Sequence, residues 1–195
     1  MAQQQSTFAE EMMAAGRGVL GLLVGDRQAG SYFDLSNRGL AGSFIALLLI
    51  TALNAVLPIV LGSESESIAR NVLTVVLLFV LQIGFSIIVL RQVNRMDGLV
   101  PYLVADNWAT FFLTLVSAAL AAAGFANDFT LIVLGVIVII VEVNIARLIV
   151  TLPPLQIAMF LIAQLVGVSI GLAVISFAFP LPPEVADAAA SAITQ

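Results

Sequence analysis

Five apolar runs of about 20 residues constrain this chain more than any other feature in it. The first is "GLAGSFIALLLITALNAVLPIVL", Gly39 to Leu61, and the others cover residues 68–90, 101–124, 129–151 and 154–179. A helix rises about 1.5 Å per residue, so each run reaches across a hydrocarbon core about 30 Å thick. Only 10% of the residues are charged while 61% are hydrophobic, against about 25% charged in a soluble domain. Solid apolar blocks, rather than short alternating segments, exclude a β-barrel. The expected fold is therefore all-α, an integral membrane bundle of five transmembrane helices with an N-terminal interfacial helix. Short connections ("GSESES", "RQVNRMDGLVP", "ANDF", "TLPP") make consecutive helices antiparallel neighbours.

The chain divides into residues 1–38, a cytoplasmic or interfacial segment, residues 39–179, the bundle, and residues 180–195, an external tail. In the first segment Thr7 and Glu10 have the spacing of a capping box ahead of "FAEEMMAAGRGVLGLLVG". That apolar part is too short to cross, which predicts a helix lying along the membrane surface. Its glycines, Gly16, Gly18, Gly21 and Gly25, predict an irregular second half. The N-terminus lacks the basic stub and immediate apolar core of a cleaved signal peptide.

Absences narrow the chemistry. The chain contains no Cys and no His, and all 7 of its basic residues are Arg. Zinc, haem and iron–sulfur ligand sets, and nucleophile–base pairs built on His, are thereby removed. No cofactor and no enzymatic activity are expected. A net charge of −5 also argues against nucleic acid as a partner.

Arginine sets the expected orientation. Arg17, Arg27, Arg38, Arg91, Arg95 and Arg147 fall on one side of a five-span plan, and Arg70 alone on the other. Basic residues in short loops stay cytoplasmic, which predicts a multi-pass protein of the bacterial inner (plasma) membrane with a cytoplasmic N-terminus and a periplasmic C-terminus. Tyr102 and Trp108 then fall at the inner interface, where they and Arg147 read as interface anchors.

Within the spans, Glu142, Gln82, Gln164 and Thr114 come to similar depths, in the inner half of the bilayer. A carboxylate at a helix centre costs about 2.5–3.5 kcal/mol on insertion scales, so Glu142 should face protein or water. Arg147 lies five residues on, about 140° around the helix axis, and is poorly aimed to neutralise it. Partners are expected on other helices, with Gln82, Thr114 and Gln164 as candidates, while Asn144 is expected near Arg147. Glu142 reads as the only acidic group within the spans, because every Asp is expected at or outside the interface. It is either packing glue or an ion, proton or substrate contact. Ala163, Gly167 and Gly171 recur every four residues on the fifth span, and Ser117, Ala118, Ala121 and Ala122 give the third a small face. The two spans are expected to pack tightly, on each other or on another subunit.

The segments "SYFDLSNRGLAGSFIALLL", "VPYLVADNWATFF" and "VNIARLIVTLPPLQIAMFLIAQLV" resemble a group of small polytopic inner-membrane proteins of proteobacteria. The matching positions are Phe33-Asp34, Ser36, Gly39, Ser43-Phe44, Asn107-Trp108 and Arg147. The five-span plan is also similar in topology to Yip-type membrane proteins. These resemblances imply a fold plan and a membrane address, and no catalytic residues. The function expected first is non-enzymatic, an accessory or organising subunit of a membrane complex. It would act through membrane lipid and through homo- or hetero-oligomer contacts. The alternative is a small oligomeric transporter or channel with an intramembrane polar layer around Glu142.

Overall fold

The structure is a computed structural model that describes residues 7–60 and 68–179, and every regular element among them is helical. The tail at 180–195 and the connection at 61–67 lie outside the described residues. Helix α1 is Phe8–Val24, and α2 Asn37–Val60, α3 Ile68–Gln92, α4 Leu99–Ala122, α5 Asp128–Asn144 and α6 Pro154–Ala178 follow. Helices α2 to α6 are the five long and apolar enough to cross a membrane. Short 3-10 turns at Ala29–Tyr32 and Met96–Gly98 precede α2 and α4, and a π turn at Ile145–Ile149 extends α5.

The first helix is more regular than its glycines predict. The Thr7 side chain accepts from the Glu10 N–H while the Thr7 N–H donates to Glu10 at 2.7 Å, closing the capping box. The helix then runs unbroken to Gly25, which takes φ 73°, a left-handed conformation cheap only for glycine. The Asp26 N–H donates to Gly21 O and the Gly25 N–H to Leu22 O, a Schellman ending. Packing supplies what propensity withholds, since Ala15, Val19 and Leu22 are buried against α4 and α5.

Entry into α2 explains much of the "FDLSNRG" stretch. The Ser36 N–H donates to Asp34 Oδ1, and Ser36 Oγ accepts from the N–H groups of Arg38 and Gly39. Two of the orphan donors at the helix start are thus satisfied. Gly39 itself lies so close to the Asp34 carbonyl that a β-carbon there has no room.

Helices α2 and α4 pack along each other, as do α3 and α6, whereas α2 and α3 touch little. The expectation that the third and fifth spans pack on each other is corrected here. Gly167 and Gly171 receive Phe85, Leu78 and Leu81 of α3, not the small face of α4. Ala163 is part-buried against the core. On α4, Ala121 and Ala122 are exposed.

The core sits toward the end of the bundle that carries α1. There α4 is buried continuously from Tyr102 to Ala109. The anchor expectation for Tyr102 and Trp108 is therefore corrected, because both are fully buried. Phe8 of α1 covers Trp108, and Gln82 of α3 with Phe160 and Gln164 of α6 enclose Tyr102, which turns a supposed interface into core. Trp108 packs against Phe8, Phe111 and Phe112, and Tyr102 meets Phe160 edge-on at 4.9 Å. Arg147 is exposed, apart from Glu142.

Candidate functional site

Helix α4 enters the bundle at Leu99 and carries Asp106 seven residues further on, about 10 Å along the axis. Glu142 precedes the end of the π turn by the same count, so it comes to a matching depth of about 10 Å from the opposite chain direction. The two carboxyl groups face each other across α4 and α5. This overturns the expectation of a lone intramembrane acid with every Asp at or outside the interface. The span begins before Asp106 rather than at it, and α1 seals that end of the helix.

A polar layer surrounds the pair. Gln82 of α3 donates from Nε2 to Asp106 Oδ2 at 2.9 Å and to the Tyr102 hydroxyl at 3.0 Å. Gln164 of α6 donates from Nε2 to the same hydroxyl at 3.0 Å and to Ser86 Oγ at 2.7 Å. The Ser86 hydroxyl in turn donates to Gln82 O at 2.7 Å. Tyr102 thus accepts from two helices while its hydroxyl contacts Glu142 on a third. Glu142 Oε2 and Gln164 Oε1 are buried and have no partner among the described residues.

Three of the four expected layer residues, Glu142, Gln82 and Gln164, are therefore brought together, joined through Tyr102 and Asp106. Thr114 is not among them. It lies two turns further along α4, in a cavity of about 320 Å³ with Thr51, Asn54 and Thr110. Asn144 departs from expectation too, donating to Leu22 O at 2.7 Å across to α1 instead of sitting by Arg147.

Asp106 and Tyr102 are the members that sequence reasoning missed. Their signal was the spacing "YLVAD", which puts Tyr102 and Asp106 four apart on one face of a helix. Asn107 points elsewhere, donating to Ser43 Oγ at 3.0 Å, so two of the motif positions at 43 and 107 hold α4 to α2.

Chemically the pair has a simple consequence. Two carboxyls can share a hydrogen bond only when one of them keeps its proton, because an ionised carboxylate only accepts. The other groups facing them, Gln82, Ser86 and Gln164, are neutral amides and a hydroxyl, and Tyr102 is the remaining titratable side chain. Among the described residues no cluster of three or more Asp or Glu suits a metal ion.

A third buried carboxyl, Glu11 of α1, lies against Gly42 outside this layer. Burial raises its pKa above the ordinary carboxylate range, Asp34 adds to the rise, and Arg38 opposes it. It faces the start of α2 and takes no part in the pair.

Comparison with family models, with curated proteins and with solved structures finds no match for this chain, so its site is read from its own geometry.

Proposed function

We propose that this chain is a small proton-coupled membrane transporter whose proton is carried by the Asp106–Glu142 pair. The observation that carries the reading is the contact of two carboxyls from different helices inside the spanning part of the bundle. Ionisable groups within membrane spans mark ion, proton or substrate pathways. A single glutamate serves equally well as packing glue; a second acid beside it adds cost without adding packing, and a shared proton gives that cost a use.

The proposal includes an address. The α1 end carries most of the arginines and is assigned to the cytoplasmic side of a bacterial inner membrane. Five spans do not divide into equal repeats, so alternating access calls for at least two copies. The uncovered Ala121 and Ala122 face of α4 favours such a contact. The same face supports the other reading, an accessory subunit acting through contacts alone.

Transport separates the two. Sealed proteoliposomes with an entrapped pH dye are exposed to panels of cationic, anionic and neutral solutes. At least one class should drive proton movement, and Glu142→Gln should abolish it with the fold intact. Wild-type proton movement in that variant, or none with any solute, leaves the contact reading in place.

A further inference from the structure

Among the described residues an open approach leads to the carboxyl pair. A small cavity of about 170 Å³ beside Asp106, lined also by Gln82, Phe79, Leu47, Val75 and Thr110, adjoins it. Leu47, Val75 and Thr110 are shared with the larger cavity of about 320 Å³, so the two form one groove between α2 and α3 with α4 as its floor. The groove exists because α2 and α3 are each committed to another partner, α4 and α6. Thr110 lies eleven residues past Leu99 and Thr114 fifteen, about 16 and 22 Å along the axis. Asn54, seventeen residues past Asn37, comes to about 25 Å. The groove therefore runs from the pair most of the way to the end opposite α1. Toward the α1 end, beyond Glu142, Asn144 ties α5 to α1 by donating to Leu22 O.

Its lining selects by charge and polarity. In the larger part Leu47, Ile50, Val72 and Val75 alternate with Thr51, Asn54, Thr74, Thr110 and Thr114 along the wall. None of the described residues lining either part is basic, and the one ionisable group that reaches the surface is Asp106. Phe79 stands at the same level, and an aromatic face attracts a cation as a carboxylate does. An anion meets repulsion at Asp106, and a neutral solute has no charge to set against that carboxyl, while the Thr51 and Thr74 hydroxyls on the way already donate to Leu47 O and Arg70 O.

We infer that the groove takes a small amphipathic organic cation, an alkylated or aryl-alkyl ammonium, which exchanges with the proton held by Asp106 and Glu142. This rests on the transport reading above and names its substrate class. The exchange balances in charge. Empty, the two carboxyls and one proton carry a single negative charge. When the ammonium arrives, the O–H bond breaks, the proton leaves to water, and two carboxylates with one cation again carry a single negative charge. Buried net charge is the same in both states, so the exchange adds no charge to the bundle. The titratable groups at the pair are Asp106, Glu142 and Tyr102; α3 and α6 present only Gln82, Ser86 and Gln164. No covalent change in the cation is involved.

Benzyltrimethylammonium is a suitable probe, with benzoate and benzyl alcohol as controls of similar size. Calorimetric titration of the purified full chain in two buffers of different ionisation enthalpy reads binding and proton release together. The expected result is saturable binding of the ammonium only, with up to one proton released per chain. Asp106→Asn should lose the proton release, and Thr110→Trp, which fills the groove and leaves both acids in place, should weaken binding at least tenfold. No saturable binding, as when lipid chains fill the groove, overturns the inference. So does binding with equal heats in both buffers, or binding that Thr110→Trp leaves unchanged. Should proteoliposomes move protons in a Glu142-dependent way with anionic or neutral solutes alone, the transport reading stands and the cation assignment falls.

Discussion

Tyr102 shows how one residue can change role with its surroundings. Near the start of an apolar run it has the position of an interface aromatic, a ring in the headgroups with a wet hydroxyl. Buried between α3 and α6, the same hydroxyl takes amide donors from Gln82 and Gln164 instead. Tyr102→Phe removes that acceptor and the contact to Glu142, while each amide keeps one other partner, Asp106 or Ser86. The expected loss is about 1–3 kcal/mol, the range for removing one partner of a buried polar group. Equilibrium unfolding in detergent measures it, and a variant as stable as wild type would show the hydroxyl to be idle. Glu142 was legible because a carboxylate deep in an apolar run is conspicuous at any reasonable choice of span edges. Asp106 was not. It lies near the edge of its run, and a start taken at Asp106 itself, seven residues past the observed start at Leu99, places it at the interface.

At the scale of elements, local rules carried far. The Thr7–Glu10 capping box and the prolines that start α6 stand where their spacing puts them. The π turn after Asn144 and the strained residue beyond it had no such signal. Thr151 has φ 59°, unusual for a β-branched residue. It is held there by Arg95, whose guanidinium donates to Val150 O at 2.5 Å, Thr151 O at 3.0 Å and Thr151 Oγ1 at 2.7 Å. The α3–α4 connection thereby fastens the end of α5, a task that the exposed Arg95–Asp97 pair at 3.4 Å adds little to. Arg95→Ala should cost about 1–3 kcal/mol through the carbonyls left without their charged donor. Thr151→Gly placed in that background should recover about 1 kcal/mol, the low end of the cost of a disfavoured backbone conformation. Thermal unfolding of the single and double variants checks both. A double variant no more stable than Arg95→Ala would mean that the turn stores no strain.

For the whole molecule, the fold brings α1, the α3–α4 connection and the α5–α6 connection to one end. Arg17, Arg27, Arg38, Arg91, Arg95 and Arg147 gather there as a consequence of an odd number of spans. On the proposed orientation, a reporter that works only outside the cytoplasm should be active when fused after Gln195, and one that works only inside should be silent. The reverse pattern would place the groove mouth on the cytoplasmic side and invert the direction of exchange.

The sequence by itself determined that the chain is a bundle of five membrane helices preceded by a capped sixth. Lipid cannot hydrogen-bond to a backbone, so a long apolar run must satisfy its own polar groups as a helix. That demand is local and can be read residue by residue. Only the tertiary structure decided which helices touch, that α1 seals one end, and that Asp106 meets Glu142. In lipid all apolar faces are solvated about equally well, so pairing is chosen by close packing and by a few interhelical hydrogen bonds. Those depend on how far each helix is rotated and slid against its neighbours. Gly171 under Leu78, Ser43 against Asn107 and Gln82 on Asp106 set that register together, and no single run contains it.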